Sequence, residues 1–124
     1  MTRAILSAIA RRILIAPDTF KGTLTAGQAA TAIAAGWHRA RPDDDLDVTP
    51  MSDGGEGFGE VIGGLLGAER RTVSTVDADH APITAHWWWR ASDRTAVIES
   101  AEVIGLAGLG PADPRTRDTF GLGA

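Results

Sequence analysis

Met51-Ser52-Asp53-Gly54-Gly55-Glu56-Gly57-Phe58-Gly59-Glu60 sets Asp53 and Glu56 among four glycines, between an extended segment and an apolar periodic one. Glycine at this density lets the backbone take positive φ and approach a ligand closely, and acids beside a helix start complement its dipole. On the upstream side, Leu46, Val48 and Pro50 alternate with polar residues, which predicts a strand ending near Met51. Downstream, Phe58, Val61, Ile62, Leu65 and Leu66 recur at helical spacing, with Gly67 suited to the helix C-terminus. The glycines therefore belong to a strand-loop-helix unit, the arrangement with which α/β folds build sites.

A second unit precedes it. Ile13-Leu14-Ile15-Ala16 reads as a strand buried on both faces, stopped by Pro17 and followed by the polar loop Asp18-Thr19-Phe20-Lys21-Gly22-Thr23. Thr25 and Gln28 fit a capping box, and Ala30, Ile33, Ala34 and Trp37 predict the buried stripe of a helix ended by Pro42. Asp43-Asp44-Asp45 reads as a solvated turn.

Beyond the glycine-rich loop, Arg71 to Val76 and Ile83 to Trp89 are β-rich with the turn Asp77 to Pro82 between them. With no helix separating them, they predict an antiparallel hairpin on a mainly parallel, Rossmann-like sheet. Trp87 and Trp89 share one strand face with Ile83 and Ala85, while Trp88 shares the other with Thr84 and His86; the tryptophans read as core or interface residues. Thr95 to Ile98 predicts a further strand, Glu99-Ser100 a third loop, and Ala101 to Leu109 a short helix interrupted by glycine. The tail closes on Thr119-Phe120-Gly121-Leu122-Gly123, which reads as a second glycine turn, with a helix expected only after it.

Bulk properties bound the function. A chain of 124 residues with 44% hydrophobic and 23% charged residues is one ordinary domain in size. A net charge of −4 and a scatter of arginines around the single Lys21 provide no basic stripe, so no nucleic-acid partner is expected. No apolar run approaches the ~20 residues needed to span a bilayer. With no cysteine, disulfides and thiolate metal sites are excluded, and the cytoplasm is the expected compartment. Residues 1–12 resemble a signal peptide only faintly and are read as an N-terminal extension to a unit over residues 13–124.

The loops at Asp18 to Thr23, Ser52 to Gly57 and Glu99-Ser100 carry the candidate chemistry. Glycine-rich N–H groups at a helix start favour an anion, with Lys21 as an added point charge. Asp18 and Asp53 beside such an anion suit a divalent metal, or a base that takes a hydroxyl proton. Phosphoryl transfer uses all of these parts, although the Walker A and dinucleotide signatures are absent. A tight turn whose acids merely complement a helix dipole is the structural alternative. His38, His80 and His86 lack ligand spacing.

Ile13 to Gly22, followed by Pro50-Met51-Ser52-Asp53-Gly54-Gly55-Glu56-Gly57, resembles the start of the bacterial type I glycerate kinases. Ala96-Val97-Ile98-Glu99, Asp113-Pro114 and Thr119 to Gly123 continue the resemblance in order. Thr19, Ser52, Phe58 and the pair Arg117-Asp118 depart from it. It implies ATP- and Mg2+-dependent phosphorylation of D-glycerate, giving 2-phosphoglycerate, by a two-domain α/β enzyme roughly three times this length. On that basis Asp18 and Asp53 are base or magnesium ligands and Lys21 contacts phosphate or carboxylate. Gly22, Gly54, Gly55, Glu56, Gly57, Glu99, Thr119 and Gly121 are substrate- or phosphate-binding candidates. The resemblance also implies that this chain is an N-terminal portion, expected to need a missing C-terminal portion or a homo-oligomer, and inactive alone. A non-catalytic anion-binding module and a structural fragment are the alternatives.

Overall fold

A computed structural model describes residues 10–105, 109–111 and 113–124. The first half is β1 (Arg12–Ile15), α1 (Ala26–Ala40), β2 (Asp45–Val48) and α2 (Phe58–Leu65). The second is β3 (Glu69–Val76), β4 (Pro82–Arg90), β5 (Thr95–Ile98) and α3 (Ala101–Ile104). A 3-10 turn at Pro114–Thr116 and α4 (Phe120–Gly123) complete it. The extension read over residues 1–12 lies outside the described residues as far as Ile9, as does the predicted continuation of α3 over residues 106–108.

β1 and β2 form a parallel pair, with Ile13 opposite Leu46 and Ile15 opposite Val48. The helix between them starts as its capping box predicts. Thr25 Oγ1 accepts from Gln28 N at 3.2 Å, and the Gln28 side chain accepts from Thr25 N at 2.9 Å. The mixed α/β class is observed, and its antiparallel part is larger than a hairpin. β5 joins β4, so β3-β4-β5 form a three-stranded sheet of their own.

Two apolar faces differ from their expected form. β1 buries Ile15, but Leu14 is 65% exposed, because a two-stranded sheet carries α1 on one face while the other stays open among the described residues. On α1 the buried residues are Ala26, Ala29 and Ala30, whereas Ile33 is exposed. Small side chains seat the first half of the helix closely on a sheet too narrow to reach Ile33.

α2 buries glycine rather than its expected apolar stripe. Gly59 and Gly63 are its buried residues, and Leu65 is 60% exposed. One turn apart on one face, they leave a groove filled by the Trp88 indole, so near that a Cβ on Gly59 would stand 1.9 Å from the ring. Trp88 is thereby buried, while Trp87 and Trp89 meet edge-on at 6.2 Å on the opposite strand face. This contact joins α2 to the antiparallel sheet.

The triple-aspartate turn also needs correction. Asp43 and Asp45 are exposed, but Asp44 is buried, accepting from Trp37 Nε1 (3.0 Å), Arg11 N (3.1 Å) and Arg41 Nε (2.7 Å). The Arg41 and Trp37 donors hold its carboxyl well below the usual carboxylate range. Asp44 fastens the C-terminal end of α1 to the residue preceding β1.

Candidate functional site

The ladder between β1 and β2 continues past both strands. Thr49 N donates to Ile15 O at 2.9 Å and Met51 N to Pro17 O at 3.0 Å. The next rung is made by a side chain: Asp53 N donates to Asp18 Oδ2 at 3.3 Å. Parallel pairing thus delivers both acidic loops to one end of the sheet, side by side. The other Asp18 oxygen accepts from Thr19 N at 2.6 Å, and Asp53 Oδ1 accepts from Gly55 N at 2.9 Å.

Gly54 and Gly57 have φ of +95° and +88°, the left-handed region that a side chain strains. The N–H groups of this loop, predicted to cradle an anion, are donated largely to the chain's own acceptors. Gly54 N meets Ser52 Oγ at 3.2 Å, and Glu99 accepts from Gly57 N through Oε1 and from Gly59 N through Oε2, each at 2.9 Å. The anion at the start of α2 is Glu99, which is 4% exposed. No local motif announced this bond, since 40 to 42 residues separate the partners; the only signal was an acid at a strand end.

Beside the loop lies a chamber of about 370 Å³, lined by Glu56, Gly57, Glu60 and Glu99 together with Thr19, Thr25 and the start of α3. A neighbouring cavity of about 340 Å³ shares Gly57, Glu60, Glu99 and Glu102 and adds Arg70 and Trp88. Asp18 and Asp53 stand outside both linings. Sequence reasoning passed over Glu60, Arg70 and Glu102. Glu102 Oε2 accepts from His86 N at 3.1 Å and lies 3.1 Å from His86 Nδ1, tying α3 to β4.

The remaining candidates are distributed elsewhere. Lys21 and Gly22 form the exposed tip of a turn closed by reciprocal hydrogen bonds between Phe20 and Leu24, and neither lines the chamber. Gly121 is buried against β3, where its carbonyl accepts from Thr75 Oγ1 at 2.6 Å, and Thr119 is the exposed residue before α4. The departures at Arg117 and Asp118 have structural partners. Arg117 Nε donates to Asp79 Oδ1 at 2.8 Å and Asp118 Oδ2 lies 3.0 Å from His80 Nε2, which fastens the tail to the β3–β4 turn.

The family model described as the Glycerate kinase family matches residues 13–124. The chain belongs to the glycerate kinase family. A glycerate kinase of Halalkalibacterium halodurans is 38% identical over 114 residues, covering 90% of this chain and 30% of its own. The glycerate 2-kinase of Escherichia coli K12 is 38% identical over 105 residues, 84% of this chain and 27% of its own. A crystal structure from Salmonella typhimurium LT2, provisionally named glycerate kinase 2, superposes with a TM-score of 0.72 at 34% identity. It covers 92% of this chain and 31% of that one. The chain therefore spans about three-tenths of the length of these relatives. Among the described residues no helix is long and apolar enough to cross a membrane.

Proposed function

We propose that this chain is the N-terminal part of a cytoplasmic glycerate kinase that transfers the γ-phosphoryl group of ATP to a hydroxyl of D-glycerate, giving 2-phosphoglycerate. The observation that carries the reading is the hydrogen bond from Asp53 N to Asp18 Oδ2, which makes one acidic centre of two loops that the sequence separates by 35 residues. In-line phosphoryl transfer is mostly positioning and charge stabilisation, and two acidic loops tied together at one end of the sheet support both.

Both oxygens of Asp18 accept backbone N–H groups, whereas Asp53 Oδ2 is uncommitted among the described residues. We therefore assign to Asp53 the acceptance of the glycerate hydroxyl proton, and to Asp18 the orientation of Asp53. Magnesium fits the donor chemistry: carboxylate oxygens are hard ligands, and this ion commonly takes one or two of them together with water and substrate phosphates. No larger group of metal-binding side chains gathers among the described residues. Each carboxylate oxygen has two acceptor positions, so Asp18 and Asp53 would hold it through those left beside their backbone N–H bonds, with Asp53 Oδ2 kept for the proton. When bound it would neutralise charge on the β- and γ-phosphate oxygens. Lys21 at its exposed turn would meet phosphate or carboxylate arriving from solvent.

The opposite wall of the cleft belongs, in this reading, to the seven-tenths of the family's length outside this chain, or to a second copy. The exposure of Leu14 (65%), Ile98 (60%) and Met51 (55%) supports a covering surface of that kind. The test is a chimera in which residues 13–124 replace the matching segment of the Halalkalibacterium enzyme. It should release ADP only with both D-glycerate and Mg-ATP, and Asp53→Asn should lower the rate at least about 100-fold. A folded chimera with undiminished turnover after Asp53→Asn would refute the role.

A further inference from the structure

We infer that Glu99 is a positioning residue that occupies the anion site at the start of α2, and so holds the Asp53 loop in place rather than contacting substrate phosphate. A carboxylate accepting from two N–H groups at a helix N-terminus meets both the helix dipole and two orphan donors, and 2.9 Å is an ordinary length for each bond. Glu99 stands on a stiff base. It follows β5, whose neighbour β4 carries Trp88 into the groove between Gly59 and Gly63, so strand and helix are joined at two points.

The segment from Asp53 to Gly57 is fastened at both ends. Asp53 N is held by Asp18 and Gly57 N by Glu99, with the Gly55 N to Asp53 Oδ1 bond between them. Releasing Gly57 frees the downstream end and leaves the Asp53 carboxylate set from one side only. Phosphate cannot use the Gly57 and Gly59 donors while Glu99 does. The glycerate kinase reading supplies the reaction by which this positioning is felt, but the tether itself stands apart from it.

The test joins amide exchange to kinetics. In the 124-residue chain, Glu99→Gln puts an NH2 group where an acceptor is needed, and exchange at the Gly57 and Gly59 amides should accelerate about 10- to 100-fold. Glu99→Asp, one methylene shorter, reaches one donor and should fall between. In Glu99→Ala, formate should restore protection by filling the vacated position. In the Halalkalibacterium chimera, Glu99→Gln should lower kcat about 10- to 100-fold while the KM for D-glycerate stays within about threefold. Unchanged exchange at both glycines would overturn the tether, and a raised KM at constant kcat would make Glu99 a substrate contact instead. If the parent chimera shows no D-glycerate turnover, the proposed function fails, while the exchange experiment still decides the tether.

Discussion

Exchanging Gly63 for alanine tests the contact on which the two halves of the fold depend. Alanine is the better helix former by about 1 kcal/mol, so propensity alone predicts stabilisation. The structure predicts the reverse. A Cβ at Gly63 would stand 2.3 Å from Trp88 Cδ1 and 2.5 Å from Cγ, roughly 1 Å inside a normal carbon–carbon contact of about 3.5 Å. The indole cannot slide along the helix to escape, because Gly59 confines its other end just as closely. Overpacking of this kind costs about 1–3 kcal/mol, and the confinement argues for the upper end; with propensity deducted, about 2 kcal/mol of net destabilisation remains. Gly64 is the internal control. It is adjacent, exposed, and has nothing within 4 Å of an added Cβ, so Gly64→Ala should stabilise by about 0.5–1 kcal/mol. Thermal unfolding followed by tryptophan fluorescence should separate the two variants by about 10 °C. In a Trp88→Leu background the penalty at Gly63 should shrink, because the clashing ring is gone. A Gly63→Ala chain melting at or above Gly64→Ala would refute the seating of Trp88 on α2.

Other consequences are open to direct measurement. Asp44 has its carboxyl lowered from the usual 3.8 by the Arg41 hydrogen bond first and Trp37 second, so its contribution is complete above that value and fades as pH falls through the lower folded-state value. Asp44→Asn should therefore be less stable at pH 7, with the gap to the parent narrowing in acid below about pH 4, as read from urea midpoints; a gap independent of pH would count against the charge. Gly57→Ala, at φ +88°, should cost about 1–2 kcal/mol and loosen the loop, visible as faster amide exchange from residues 53 to 57. Thr25→Ala removes one side of the capping box at α1 and should lower stability by about 0.5–2 kcal/mol, seen by circular dichroism during urea unfolding.

Local signals were legible where the chemistry is local. The capping box at Thr25 and Gln28, the end of α1 before Pro42 and the start of α2 at Phe58 follow from side-chain type and spacing. So do the positions of β3, β4 and β5. The positions of Asp18 and Asp53 at strand ends were equally readable, because a parallel pair with a helical crossover must bring both loops to the same end. The burial of Asp44 was harder to foresee. Three aspartates in a row look solvated, and only the arrival of Trp37, Arg41 and Arg11 from two other elements gives the middle one its donors.

By itself the sequence determined the order of elements as far as α3 and the mixed α/β class, since both rest on pattern and spacing along the chain, and its motifs carried the resemblance to the family. Tertiary structure decided how those parts are used. Glu99 became the partner of the glycine loop, and two glycines rather than the leucines became the buried face of α2. The physical reason is the same in both cases: a helix N-terminus accepts whichever carboxylate the fold carries to it, and a groove accepts whichever ring fits. Neither partner is fixed by its neighbours in sequence. Met51 to Glu60 thus announced an anion site from its residues alone, and Glu99, the residue after β5, supplied the anion.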